Sequence, residues 1–177
     1  MRIHYQLIVG IASLILSLSD HHPAEAPQAT QTMTVHVPDR ISIQAPSPEV
    51  TQTVSPDSDK LRFPDQLWVV GSNVTAGVHV SFTTEGPFRL TSDPSVQRDA
   101  QLQIRVAHVS NHSTWEITNP IGETDYHVGK YRAAVHVESR TPGQADIGVT
   151  IKLLPGDGEL LPHGEFVATV VGTICEN

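Results

Sequence analysis

The chain has a single cysteine, Cys175, which excludes an intrachain disulfide and a cysteine-rich zinc site. Stability must therefore come from a packed core, and the thiol itself reads as a small buried hydrophobe ending the last strand, with an intermolecular disulfide as the alternative. Basic residues are scarce: 11 Lys and Arg against 19 Asp and Glu leave a formal charge of −8. No basic field is available to neutralise phosphates, so nucleic acid is excluded as a partner. Long apolar runs are missing as well. The one clear run, residues 7–16, falls well short of the roughly 20 residues needed to span a bilayer. No integral span is expected in the mature chain. Nor can an amphipathic helix of three turns be drawn without crossing a proline, a glycine or a β-branched cluster, so α/β cofactor folds lack their crossover helices.

The short apolar run has its own reading. Arg2 and His4 precede it, and small residues follow at Ser17-Leu18-Ser19 and again at Ala24-Glu25-Ala26. This is the form of a secretory signal peptide over residues 1–19, with the cut falling as late as residue 26 in the alternative register. Residues 20–31 lack large apolar groups and read as a flexible lead-in. Residues 32–177 read as one domain, secreted or displayed at the cell surface.

What the sequence has in quantity is 20 valines and 16 threonines, the composition of a pleated, half-buried surface. Met33, Val35 and Val37 alternate with polar residues, and so do Ile41 and Ile43. The same period of two runs through residues 66–70, 77–82, 101–106, 114–117, 131–137, 146–153 and 165–170. Period two predicts strands. Between them stand Glu85-Gly86-Pro87, Asn119-Pro120-Ile121-Gly122, Thr141-Pro142-Gly143 and Pro155-Gly156-Asp157-Gly158, all turn-forming. The expected fold is all-β, an Ig-like two-sheet antiparallel sandwich of about eight or nine strands, with a closed barrel as the rival. The strand over residues 165–174 is expected to be central, with Phe166, Ala168, Val170 and Gly172 facing one way. Because Val167, Thr169 and Val171 make its other face apolar too, donation of this strand to another subunit is an alternative to an ordinary internal place.

Two segments resemble exported bacterial surface modules. Residues 68–82, with Gly71-Ser72-Asn73 between two strands and Gly77 opening the second, are similar to an early hairpin of pilin-like, fimbrial and WxL-type β-sandwich domains. The ending Gly164-Glu165-Phe166-Val167-Ala168-Thr169-Val170-Val171-Gly172-Thr173-Ile174 resembles their closing strand, with Phe166 where those modules have Tyr. The resemblance implies an extracellular sandwich with an adhesive or structural role. It names no site.

Motifs for a serine nucleophile elbow, a zinc protease helix, a phosphate-cradling loop and an EF-hand are absent. No catalytic residue is expected, and the chain is read as non-enzymatic, its partners other surface proteins or itself. The alternative is a small extracellular carbohydrate- or metal-binding module. Histidine carries most of the metal chemistry. If the peptidase cuts after Ser19, the mature chain begins Asp20-His21-His22, whose α-amine, two amide nitrogens and His22 ring form a square-planar set suited to Cu²⁺ or Ni²⁺. Three further histidines, His36, His79 and His136, each sit between two valines. Two of these on neighbouring strands would lie at cross-strand distance, able to bind Zn²⁺ or Cu²⁺ or to repel on protonation, unless all three simply face solvent. Asp57-Ser58-Asp59 and Asp157-Gly158-Glu159 offer partial Ca²⁺ ligand sets against plain solvated turns. Asn73 and Asn111 match the N-glycosylation pattern, with turn residues as the plainer reading. Trp68 and Trp115 are expected in the core, their exposure being the sign of a sugar platform.

Overall fold

The computed structural model describes residues 31–53, 61–110, 112–156 and 160–177. Residues 37–177 make one compact unit. Its strands in chain order are β1 (Ile41–Gln44), β2 (Gln66–Ser72), β3 (Val78–Thr84), β4 (Phe88–Leu90), β5 (Asp93–Val109), β6 (Trp115–Asn119), β7 (Ile121–Glu123), β8 (Ala134–Ser139), β9 (Gly143–Leu154), β10 (Phe166–Val167) and β11 (Val170–Glu176). A 3-10 turn, Tyr126–Val128, lies between β7 and β8. Among the described residues no helix is long and apolar enough to cross a membrane.

Two antiparallel sheets carry these strands. The larger runs β1-β2-β9-β5-β4-β10, with β7 also pairing β5, and the smaller runs β11-β3-β8-β6. The all-β, two-sheet antiparallel sandwich expected from the alternation is the fold. The additional strands β4, β7 and β10 are two or three residues long, too short for a period of two to register. β5 is longer than its apolar part announced. Its polar first half pairs with β4 through Phe88 opposite Arg98, while the second half runs along β9 from Asp99 opposite Leu154 to Val109 opposite Ala145.

The core fills the space between the sheets. Val70, Val80, Phe82, Leu102, Val135, Val137 and Ile147 are fully enclosed, and burying each such side chain contributes about 1.5–3 kcal/mol. Trp68 meets Phe82 edge-on, with ring centroids 5.3 Å apart, and Trp115 packs on the same cluster, so both indoles belong to the core as expected. A second cluster gathers Leu61, Phe88, Ala100 and Leu153, against which Phe63, Phe166 and Ala168 pack.

Three expectations are corrected. Residues 32–37 form no strand; Met33 and Val35 are more than four-fifths exposed, because an alternating pattern makes a strand only where a ladder partner accepts it. The closing strand is not central. It divides into β10, at one edge of the larger sheet, and β11, at one edge of the smaller, so the chain changes sheets at Ala168 and Thr169. The inward alternation nevertheless holds: Phe166 and Ala168 face the second cluster, Val170 and Ile174 the first. Cys175 is exposed, since β11 is an edge strand and this position points outward.

Gly77 closes the turn before β3. Its N–H donates to the Val74 carbonyl, 3.2 Å away, and its φ of 88° lies in the left-handed region that side chains resist. A Cβ there would sit 1.9 Å from the Ser139 carbonyl oxygen. We expect Gly77→Ala to lower unfolding stability by about 2–3 kcal/mol, read from the urea midpoint at unchanged slope; a loss below about 0.5 kcal/mol would show that the turn is not constrained as described.

Candidate functional site

The outward positions of the smaller sheet follow from strand parity. Val78, Val80 and Phe82 of β3 and Val135 and Val137 of β8 are buried, which turns His79 and Ser81 of β3, and His136 and Glu138 of β8, to the other face. The register sets His79 opposite Glu138 and Ser81 opposite His136. On the flanks, Cys175 of β11 stands opposite His79 and Glu116 of β6 opposite Glu138. Thus two of the three histidines flanked by valines meet. Their ring centroids are 5.1 Å apart at an interplanar angle of 36°. The third, His36, lies in the exposed lead-in.

The pair is only partly wet. Nδ1 of His79 lies 3.3 Å from a Glu138 carboxylate oxygen, and both side chains are about one-third exposed, at 32% and 33%. Nδ1 of His136 is shut off from solvent and has no hydrogen-bond partner among the described residues. Burial lowers the pKa of His136 below the ordinary imidazole value, proximity to His79 lowers it further, and the Glu138 carboxylate opposes both. The thiol of Cys175 donates weakly to the His79 backbone carbonyl at 3.8 Å. Among the described residues no set of three His, Cys, Asp or Glu side chains is already gathered around one point.

A second feature was not legible in the sequence. An open cleft of about 630 Å³ is lined by Arg98, Asp99, Tyr126, His127 and Lys130 among others. It is shaped by Asp99, whose carboxylate accepts from the Thr124 hydroxyl at 2.7 Å and the Tyr126 N–H at 3.1 Å. The Tyr126 and His127 rings lie with centroids 4.0 Å apart at one side. Nothing in the local alternation signals this, because the partners of Asp99 come from 25 and 27 residues away.

Other sequence candidates have simpler roles or fall elsewhere. Asn73 clamps the chain ahead of β1: its side chain accepts from the Arg40 N–H at 2.6 Å and donates to the Pro38 carbonyl at 2.9 Å. Asp20, His21 and His22, the two acidic loops at residues 57–59 and 157–159, and Asn111 lie outside the described residues.

The histidine pair makes stability pH-dependent. The unfolded ring titrates near 6.5, whereas the folded His136 holds its proton less tightly, so the unfolded chain binds more protons between the two values. The stabilisation is complete above about 6.5 and is lost as pH falls through the lowered folded value. His79, Glu138, Glu116 and Cys175 are the titratable groups around it on the four strands. We expect His136→Asn to flatten the fall in thermal midpoint between about pH 7.5 and 5. Parallel pH curves for the two proteins would contradict this.

No family model matches the chain, and neither does any curated protein or solved structure.

Proposed function

We propose that this protein is a non-enzymatic structural or adhesive module, exported to the cell surface, that associates by adding strands to sheet edges. The observation that carries the reading is the lead-in to the sandwich. Met33, Val35 and Val37 recur at every second position along it at 81%, 83% and 68% exposure, so a row of apolar side chains with strand periodicity, itself in no strand, would present an apolar face on pairing. Such a face is worth keeping only if something covers it, and an added strand supplies both the ladder and the pocket row. Strands β1 and β10 in one sheet and β11 and β6 in the other stand at the ends of the strand order. The Asn73 clamp on Pro38 and Arg40 fixes the chain just ahead of β1. The partners are other surface proteins or a second copy, and the resemblance to fimbrial and pilin-like modules agrees with such a role.

A carbohydrate-binding reading is favoured by one feature, the Tyr126 and His127 rings beside polar groups in the open cleft. Its signature is retention on a polysaccharide matrix that Tyr126→Ala abolishes.

For the main reading the measurement is sedimentation velocity of the mature protein over a hundredfold concentration range. Self-association is expected for the natural chain and a monomer for the variant carrying Met33→Asp and Val35→Asp, with the same circular dichroism. A weight-average mass that is identical for both proteins at every concentration would remove the strand-addition mode between copies.

A further inference from the structure

We propose that the outer edge of β11 receives residues 32–37 of a second copy as an antiparallel strand, an assignment that rests on the strand-addition reading above and names its acceptor. Strands β1, β6, β10 and β11 stand at the ends of the strand order, with β7 set beside β5 off that order. All but β11 carry features that blunt an edge. β7 and β10 are three and two residues long. β1 has four residues and lies between Pro38 and Pro46. β6 carries the exposed Glu116, shifts register against β8 between Ile117 and Asn119, and runs into Pro120. β11 has seven residues, holds an unbroken register with β3 from Val170 to Glu176, and contains no proline. Its exposed positions ahead of Glu176 are Val171, Thr173 and Cys175, none of them charged.

The two ends of the β3 ladder fix where the backbone groups of β11 point. The Glu85 N–H donates to the Thr169 carbonyl at 3.0 Å, and the Asn177 N–H donates to the Gly77 carbonyl at 3.3 Å. Residues of an antiparallel strand turn their N–H and C=O groups alternately to one side and the other, so the odd-numbered residues from 169 to 177 face β3. Val170, Gly172 and Ile174 turn theirs to the side that no strand of the described residues pairs. The lead-in fits that side residue by residue. Set antiparallel, Met33, Val35 and Val37 stand opposite Ile174, Gly172 and Val170, continuing the inward face on which Val170 and Ile174 already pack, while Thr32, Thr34 and His36 fall beside Cys175, Thr173 and Val171. Residues 33, 35 and 37 then exchange hydrogen bonds with β11. Pro38, which has no N–H to give, comes at a position directed away from β11 and opposite Thr169, where the acceptor leaves the smaller sheet. A slip of two residues one way sets Met33 against Glu176, and the other way carries Val37 past the end of β11. A slip of one turns the apolar row to solvent.

This register places residue 32 opposite Cys175 at a non-hydrogen-bonded position, where Cα atoms lie ~4.5 Å apart, within the span of a disulfide. Residue 36 is four positions along, ~13 Å away. A chain carrying Thr32→Cys and Cys175→Ser is mixed with isotope-labelled natural chain in a glutathione redox buffer, and so is one carrying His36→Cys and Cys175→Ser. Linkage of residue 32 to Cys175 of the labelled chain is expected to exceed linkage from residue 36 at least about tenfold. In the natural protein, amide exchange at Gly172 and Ile174 is expected to slow as concentration rises, and not to do so in the variant carrying Met33→Asp and Val35→Asp. Self-association by sedimentation with equal linkage from both positions, or with amides slowed on β1 or β6 and not on β11, overturns the acceptor assigned here and leaves strand addition standing. Protection of Gly172 and Ile174 that the double variant loses but that is indifferent to concentration overturns the second copy as the occupant. A monomer at every concentration removes this proposal together with strand addition between copies.

Discussion

The antiparallel ladder between β5 and β9 is the constraint on which the other features rest. It is the longest pairing among the described residues, and it places Leu102, Ile104, Ala145, Ile147 and Val149 on one side of the larger sheet. Strand side chains alternate with a period of two, so a slip of one residue would turn that whole set to solvent. The β2 strand and the short β7 are then paired onto the same two strands, and β4 onto the leading half of β5. Polar contacts reinforce the arrangement from outside. Asp65, just ahead of β2, accepts from the Thr150 hydroxyl on β9 and from the Arg105 guanidinium on β5, and these bonds hold its carboxyl below the usual carboxylate range against the effect of burial.

On its two middle strands the smaller sheet closes over this platform mainly through valine. Val78, Val80, Val135 and Val137 face inward around Phe82. Because valine fills the inward positions, the outward positions of the same strands are free to be polar, and His79, His136 and Glu138 occupy them. The meeting of His79 with His136 is thus a by-product of the parity that builds the core. At the edge, β11 comes so close that a Cβ on Gly172 would lie 2.8 Å from Trp68 and from Ile43, so this glycine sets how tightly the two sheets meet along that side.

Much of this was legible in the alternation of the chain. β1, β2, β3, β6, β8 and β9 lie where the period of two put them, and the inward set of the closing segment was read in the correct phase. What escaped was everything decided by partners distant in sequence. Residues 32–37 have the pattern of a strand without the ladder, and pattern alone cannot report a missing neighbour. Asp93 to Gln97 have little apolar alternation, yet they pair because β4 lies beside them. The meeting of His79 with His136 needed a register between segments 57 residues apart in number, and only the individual Val-His-Val settings were visible beforehand. The division of the closing segment was hidden for the opposite reason: its alternation continues unbroken through Ala168 and Thr169, while the backbone leaves one sheet for the other.

That division has a consequence for how the molecule opens. β10 completes the larger sheet and β11 the smaller, with the crossing held by the Glu85 N–H donating to the Thr169 carbonyl at 3.0 Å. A fluctuation that peels β11 from β3 tugs directly on the pairing of β10 with β4, so neither layer frays alone at this end. The two layers are thus fastened at this end by a strap two residues long, which ties local opening of one edge to that of the other.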